Sequence, residues 1–358
     1  MDPTLRAAIC AGLLLGSCLP QARAGHDAPL PCARTDKACA LKAAKAHRVR
    51  TTQFWAAALA KPVDERLGPA PPALVQFLNL DNIANGFPNE PRVPVLPADF
   101  VADVRGAIAD LPPSVHRLLD EAFAGVYFVE DLGGTGFTDL YFEARDLAKG
   151  GYIVLDSGVL GKLTANAWAT WKENTPFKPR PAWKLEATIE TAARNDRRNA
   201  IQYILLHELG HVLSINRDIH PRWDIPASSV PASARFAFFE LSWTIDRKAN
   251  RYASKFDKAF ALRRSVVYYF GARLAASDAI AVYRGLEKTG FPTLYAATSP
   301  GDDFAESFAS YVHTVLMKRP WEIRILHNGK VAMTYGSCWE EERCAQKRAI
   351  LENLLRPR

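Results

Sequence analysis

The run His207-Glu208-Leu209-Gly210-His211 holds the residues of this chain that are best suited to chemistry. On an α-helix His207 and His211 are four residues apart, so their imidazoles leave the same face one turn above each other. That spacing lets two ring nitrogens reach one Zn²⁺ at about 2.0–2.1 Å. Glu208 is placed to take a proton from a water on that metal. The motif therefore predicts a catalytic zinc site.

A long apolar helix must position this motif. Residues 201–215 are apolar around the HExxH run, which is rare for a chance match. Asn195 or Asp196 can cap the start of the helix, and the pattern ends near Ile215. Gly210 costs about 1 kcal/mol in a helix interior. That cost is bearable if another backbone passes close beside the metal.

A catalytic zinc site needs a third protein ligand, with the fourth position left for water. A metzincin would continue as HExxHxxGxxH, but Ser214 and Arg217 stand where that pattern needs Gly and His, so this class is excluded. His220 follows a Pro-flanked turn and is expected to be an ordinary surface histidine. Glu240 is one carboxylate candidate on a later helix.

A stronger group of acids follows Pro300 and Gly301, which precede a helix start. Asp302 and Glu306 are four residues apart and share one face of that helix. The acid nearer the metal would ligate it, and the other would accept a hydrogen bond from the outer nitrogen of a ligand histidine. Residue types alone leave Asp302, Glu306 and Glu240 open as the third ligand.

These residues together resemble the anthrax lethal factor-like branch of the gluzincin metallopeptidases, over residues 114–317. In that family a tyrosine follows the HExxH helix, and an acidic ligand then comes just before an aromatic and acidic stretch. Here Tyr295 and Asp302 are followed by Phe304-Ala305-Glu306. The resemblance implies that Tyr295 stabilises the oxyanion and that Asp302 is the third ligand, with Glu306 as the acid one turn later.

Two departures from the family pattern matter. Asp302 stands where the family has Glu, one methylene longer, so either its helix must approach more closely or Glu306 must ligate instead. The segment between His211 and Asp302 is also longer, which implies an inserted helical piece at about residues 217–290.

The resemblance implies an α+β fold, a mostly helical zincin-type domain with a small β-sheet packed on the HExxH helix. It also implies a zinc metallopeptidase that acts on a peptide or protein substrate. Such a substrate would lie extended along an edge strand, for which residues 151–155 are the candidate. Two alternatives stay open: a zinc-binding or inactive relative, and a zinc hydrolase of a non-peptide amide such as cell-wall material. Glu208 argues against a purely structural site, which needs no base at that position.

The first 24 residues are typical of an export signal. Arg6 precedes a short apolar run at 7–15, and Ala22-Arg23-Ala24 forms an A-x-A cleavage site. The mature protein is therefore expected to be periplasmic or secreted. An alternative is a lipoprotein box at residues 15–18, in which an acylated Cys18 would attach the protein to a membrane.

The cysteines support export. Of 6 cysteines, Cys10 and Cys18 lie in the signal region, and the others form one close pair near each end of the mature chain. An even number in an exported protein indicates disulfides. Local pairing, Cys32–Cys39 and Cys338–Cys344, closes the shortest loops and is preferred among three connectivities.

Length and charge set broad limits. The chain has 358 residues, 48% of them hydrophobic, which is ample for a large core. The net charge of +7 is scattered without a basic run or interleaved aromatics, so no nucleic-acid partner is predicted. The oligomeric state is not readable. The predicted domains are an N-terminal arm at 25–97 and a catalytic domain at 98–358.

Hydrophobic periodicity predicts the other elements. Helices are expected at 38–60, 99–110, 114–123, 233–260, 265–286, 302–317 and 340–355, and strands at 126–129 and 151–155. The glycine turn at 133–136 lacks the surroundings of a phosphate loop. Residues 166–183, rich in Trp and Pro, are predicted to be a loop-like insertion whose tryptophans pack together.

Overall fold

The computed structural model describes residues 29–119, 122–143 and 147–356. Their contacts divide them into two compact units. The N-terminal unit comprises residues 29–102 and 122–162, and the C-terminal unit comprises residues 103–119 and 163–356. The predicted export signal and lipoprotein box lie outside the described residues.

Helices and short strands alternate along the described chain, so the predicted α+β class is confirmed. The helices are α1 (Lys37–Lys45), α2 (Thr52–Leu59), α3 (Pro72–Asn85), α4 (Ala98–Ala109), α5 (Pro113–Leu119), α6 (Ser157–Leu160), α7 (Ala165–Asn174), α8 (Arg197–Ser214), α9 (Phe239–Ser242), α10 (Ala279–Leu286), α11 (Pro300–Tyr311) and α12 (Glu342–Leu355). The strands are β1 (Leu67–Pro69), β2 (Phe123–Val129), β3 (Gly136–Phe142), β4 (Ala148–Asp156), β5 (Phe177–Lys178), β6 (Trp183–Thr188), β7 (Trp243–Asp246), β8 (Arg251–Ser254), β9 (Leu274–Ala275), β10 (Glu322–His327) and β11 (Lys330–Gly336).

The N-terminal unit is built on a four-stranded sheet in the order β1-β2-β4-β3. β2 pairs in parallel with both β1 and β4, and β3 closes the far side antiparallel to β4. Because β1 comes from the predicted arm and the other strands follow residue 121, the unit combines segments that the sequence analysis assigned to two domains. Residues 151–155 lie in β4, an interior strand whose main chain is already paired on both sides. The expectation that they form a substrate-binding edge strand is therefore wrong, because β3 occupies the edge of β4 that would otherwise be free.

The helices of this unit differ from the sequence pattern at two points. The helix expected at 38–60 is two helices, because Thr51 caps α2 with its side chain after a 3₁₀ turn at Arg48–Arg50. α3 lies within the proline-rich stretch, where Pro72 occupies the first helical turn. Both helices pack on the sheet core, in which the Trp55 ring stacks 4.6 Å from that of Tyr152.

The C-terminal unit is organised around α8. Asp196 caps this helix by accepting a hydrogen bond from the Asn199 N–H at 2.8 Å, as predicted. Residues 199–210 of this helix are all buried, so every side of it is covered. Its main packing partners in this unit are other helices, α11, α7 and α5. Among the described residues of the unit, no strand packs on α8 as extensively as these helices.

α8 and α11 cross at unusually short range. A Cβ atom built on Gly210 would lie 2.7 Å from Cα and 3.2 Å from the carbonyl oxygen of Ala305. Real Cβ atoms do not approach a backbone that closely, so only glycine permits this crossing. The expectation that another backbone passes close to Gly210 is therefore confirmed.

The segments on either side of α8 differ from the sequence prediction in opposite ways, the first being more helical and the second less helical than expected. Residues 166–183, predicted to be a loop, contain α7 and β5, and β6 begins at Trp183. Their tryptophans do not form one cluster: Trp168 packs on Tyr203, whereas Trp183 stacks on His327. Residues 217–290, predicted to be a helical insertion, contain the β7–β8 hairpin and only α9 and α10 as α-helices. The apolar residues of this segment pack on the helices of the unit, although their backbone is irregular. The spacing of such buried residues in the sequence resembles that of an amphipathic helix.

Both predicted disulfides, Cys32–Cys39 and Cys338–Cys344, are confirmed. Each bond lies within a single unit and closes a short local loop. Disulfides of this kind persist in oxidising compartments. In the described part of the chain, no helix is long and apolar enough to cross a membrane.

The crossing predicts that Gly210→Ala destabilises the protein. Helix propensity alone favours alanine by about 1 kcal/mol, but overpacking against Ala305 costs about 1–3 kcal/mol. We expect the thermal unfolding midpoint to fall by several degrees in calorimetry. Gly336→Ala is the matched control, because a Cβ there meets nothing within 4 Å. A midpoint that rises in Gly210→Ala would contradict the close approach.

Candidate metal centre

Three side chains from α8 and α11 converge on one point. The ligand atoms of His207, His211 and Asp302 all lie within 4.8 Å of one another. Oδ1 of Asp302 is 3.9 Å from Nε2 of His207 and 3.8 Å from Nε2 of His211. These separations are too long for hydrogen bonds. The buried group could hold a metal ion, and it brings together the three residues that were proposed as ligands.

The start of α11 fixes the carboxylate of Asp302. Its Oδ2 accepts hydrogen bonds from the hydroxyls of Ser299 at 2.7 Å and Thr298 at 3.0 Å. Ser299 also caps the helix by accepting from the Asp302 N–H. One carboxylate oxygen is thus held by hydroxyl groups, while the other faces the two imidazoles. The close crossing at Gly210 compensates for the side chain that is one methylene shorter than glutamate.

Glu306 lies behind His207, on the side opposite Asp302. Its Oε1 is 2.9 Å from Nδ1 of His207 and 3.0 Å from Nζ of Lys172. Its Oε2 accepts from the Thr293 hydroxyl at 2.7 Å. Contact with a carboxylate at Nδ1 leaves Nε2 of the imidazole as the metal-facing nitrogen. Glu306 was expected either to ligate the metal or to orient a ligand histidine, and the geometry favours the second role.

Lys172 joins Glu306 to a second buried acid. Its ammonium group is also 3.4 Å from Oε1 of Glu173, whose Oε2 accepts from the hydroxyls of Tyr268 at 2.8 Å and Tyr283 at 2.9 Å. The Lys172 side chain is only 5% exposed. A buried ammonium group is stable only when it is paired. The two glutamates supply that pairing.

Lys172, Glu173 and Thr293 were not identified from the sequence. Lys172 and Glu173 lie on α7, in the segment predicted to be a loop, and neither belongs to a spacing motif. Thr293 is an isolated hydroxyl in a turn before α11. Only the tertiary structure brings them to Glu306.

Burial alone would raise the pKa of Glu306, but the neighbouring Lys172 ammonium, the His207 ring and the Thr293 hydroxyl outweigh this and lower it to about 2. His211 differs, because burial and the nearby imidazoles of His207 and His220 lower its pKa well below the usual value. A neutral imidazole is the form that binds a metal. His211 is therefore ready to ligate near neutral pH.

Asp303 faces away from the histidines. It is fully buried, forms an ion pair with Nζ of Lys347 on α12, and accepts a hydrogen bond from Nε1 of Trp243 at 3.0 Å. It therefore ties α11 to α12 and to β7. The two aspartates are adjacent in the chain but leave α11 in different directions, so they have different partners.

The two residues expected to act on substrate lie beside the ligand group. The Tyr295 ring stacks on that of His207, with centroids 5.4 Å apart and planes 20° from parallel. Glu208 is 5% exposed, and its carboxylate is near enough to contribute to the raised pKa of Tyr295, of which burial is the main cause. Tyr295 and Glu208 thus share one covered space with Asp302.

Two sequence expectations about other residues are wrong. His220 is buried rather than on the surface, and its Nδ1 lies 2.8 Å from the Pro221 carbonyl oxygen. Burial lowers the pKa of His220 to about 4. It packs near Phe304 because the chain after α8 folds back over α11. Glu240, an alternative ligand, is instead exposed on α9 and accepts from the Phe236 N–H.

Comparison with protein-family models, with curated proteins and with solved structures finds no match for this chain. Its function must therefore be argued from the site itself.

The low pKa of Glu306 predicts how acid affects the metal-free protein. Its pKa falls from 4.5 in the unfolded chain to about 2 in the fold. The stability that it contributes is therefore fully present above about pH 4.5 and is lost as the pH drops toward 2. We expect the difference in unfolding midpoint between wild type and Glu306→Gln to narrow over this range.

In wild type the pKa of His207 is raised above 6.5, because Glu306 outweighs the opposing effect of burial, so His207 stays protonated below pH 4.5. Glu306→Gln removes that effect, so the comparison reports on the pair of Glu306 and His207 together. Exposed Glu240→Gln is the control, and its difference from wild type should stay constant. A constant difference for Glu306→Gln as well would contradict the ion pairing of Glu306.

Proposed function

We propose that this chain is an exported zinc metallopeptidase of the gluzincin type. The observation that carries the proposal is the buried group of His207, His211 and Asp302, whose two histidines lie on the helix that also bears Glu208. A site of this kind with an adjacent carboxylate base is suited to hydrolysis of an amide bond. The two disulfides support export.

The donor set fits zinc. Two imidazoles and one carboxylate are the ligands of many catalytic zinc sites, which keep the fourth position open. Ligand atoms on a tetrahedral zinc lie about 3.4 Å from one another. Oδ1 of Asp302 lies 3.9 Å and 3.8 Å from the two Nε2 atoms, so small side-chain shifts suffice. The carboxylate of Glu306 at Nδ1 of His207 completes the usual surroundings of a ligand histidine.

When bound, zinc would supply a Lewis acid that makes water a better nucleophile and polarises the scissile carbonyl. The Glu208 carboxylate accepts the proton of the attacking water and later delivers it to the leaving amine. The Tyr295 hydroxyl donates a hydrogen bond to the carbonyl oxygen as that oxygen becomes negative. Its pKa is raised well above the usual value, by burial and then by Asp302, so it remains a neutral donor.

The substrate follows from this chemistry. A water nucleophile, a base that returns its proton to nitrogen and a hydrogen-bond donor for the oxyanion together suit an amide, and we propose a peptide or protein as the substrate. The side-chain preference of the site stays undefined.

Replacing Glu208 tests the base. Glu208→Gln keeps the size of the side chain but cannot accept the proton of water. We expect it to hold the same zinc content as wild type by elemental analysis, with hydrolysis of a mixed peptide library reduced about 10²–10⁴-fold. Exposed Glu240→Gln is the matched control and should cleave at the wild-type rate.

The peptidase proposal fails if the wild type holds one zinc but cleaves the library no better than Glu208→Gln does. Cleavage of murein fragments alone, lost in Glu208→Gln, would instead assign a non-peptide amide substrate. Zinc binding without either activity would indicate an inactive relative.

The ligand assignment has its own test. Asp302→Ala removes a donor and should abolish zinc binding in competition with a chelator. Glu306→Ala removes only the partner of Nδ1 of His207, so zinc affinity should fall about 10–100-fold. Circular dichroism checks that both variants are folded. The reverse order of effects would make Glu306 the ligand.

A further inference from the structure

A strained turn lies next to the candidate metal centre. The Phe270 N–H donates to the Tyr268 carbonyl oxygen at 2.7 Å, and the residue between them, Tyr269, has a φ of 65°. An i→i+2 bond around a positive φ defines the rarer and more strained type of γ-turn. A bulky side chain at positive φ is a strained outlier. The surrounding structure must therefore hold Tyr269 in place.

Neighbouring contacts supply that constraint. The hydroxyl of Tyr268 donates to Glu173 at 2.8 Å, and its ring packs on Tyr295 at a centroid distance of 4.7 Å. The Tyr269 ring itself packs on Trp171 at 5.7 Å and meets the Tyr295 ring at 5.9 Å, nearly at a right angle. The same buried group that orients His207 thus also anchors the turn.

The hydroxyl of Tyr269 has no hydrogen-bond partner among the described residues, although it is buried. Leaving a buried donor unsatisfied is destabilising. Burial, followed by the carboxylates of Glu306, Glu173, Asp302 and Glu208, raises the pKa of Tyr269 well above the usual value. The hydroxyl is therefore a neutral donor in the field of the acids that line the site.

Tyr269 shares its position with the groups expected to act on substrate. It is 8% exposed, and Glu208 and Tyr295 are each 5% exposed. The Tyr269 ring contacts that of Tyr295, so a substrate bound against Tyr295 would lie beside Tyr269. Tyr252 likewise has an unpartnered buried hydroxyl, but it lies in the β7–β8 hairpin against Phe239. Only Tyr269 combines the missing partner with the strained turn and contact with Tyr295.

We propose that Tyr269 is a second catalytic tyrosine, whose hydroxyl donates to the scissile carbonyl oxygen alongside Tyr295. The inference rests on the proposed peptidase function. The acceptor that the hydroxyl lacks is then an oxygen that arrives with the substrate and becomes more negative as water attacks. Because no group among the described residues accepts from this hydroxyl, its hydrogen bond can strengthen as charge develops on that oxygen.

Tyr269→Phe tests this role, since it keeps the ring and removes only the hydroxyl. With the zinc-loaded full chain and the best-cleaved library peptide, we expect kcat to fall about 10²–10³-fold with little change in KM, as for loss of one oxyanion donor. Zinc content should be unchanged. In the metal-free protein the unfolding midpoint should stay equal or rise, because an unsatisfied hydroxyl has been removed.

Tyr252→Phe is the matched control, because it also removes an unpartnered hydroxyl, and its kcat should equal that of wild type. A wild-type kcat in Tyr269→Phe overturns the proposal while leaving the peptidase function standing. A change in KM alone, or a lower midpoint of the metal-free variant, also overturns it by assigning the hydroxyl to substrate binding or to folding. Complete inactivity of the wild type removes both proposals, and the Glu208→Gln comparison identifies that case.

Discussion

The candidate site depends on the close crossing of α8 and α11. Gly210 lets the Ala305 backbone approach until no Cβ would fit between them. Because Ala305 lies between Asp302 and Glu306 on α11, the crossing brings one acid in front of His207 and the other behind it. A wider crossing would leave the short aspartate side chain out of reach of both imidazoles. The glycine in the HExxH run is thus as much a part of the site as the histidines.

Charge compensation maintains this arrangement inside a solvent-excluded region. Asp302, Glu306 and Glu173 are all buried acids, and burial alone would keep carboxyl groups protonated. Lys172 is the buried cation between two of them. Hydroxyl groups, such as those of Ser299 and Thr293, satisfy the remaining oxygens. The resulting network joins α7, α8 and α11, so the geometry of the ligands and the stability of the unit have the same physical origin.

The sequence was informative for features that depend on residues close together in the chain. The HExxH spacing, the Asp196 cap, the need for a close backbone at Gly210 and the paired cysteines all depend on a few neighbouring residues, and each agrees with the structure. Lys172 and Tyr269 could not be found in this way. Their roles depend on contacts between residues far apart in the chain, from Lys172 to Glu306 and from Tyr269 to Trp171 and Tyr295. Their own segments carry irregular backbone or an ambiguous apolar pattern. The interior position of β4 was missed for a similar reason, since register depends on a partner strand.

The adjacent acids Asp302 and Asp303 show how the rotation of α11 is specified. One residue along an α-helix turns the side chain by about 100°, so neighbours cannot exchange roles without rotating the whole helix. Lys347 and Trp243 hold Asp303 from one side, while Ser299 and Thr298 hold Asp302 from the other. The rotation of α11 about its axis is therefore fixed by two separate sets of contacts. Insertion or deletion of one residue within its first turn would displace both aspartates from their partners at once.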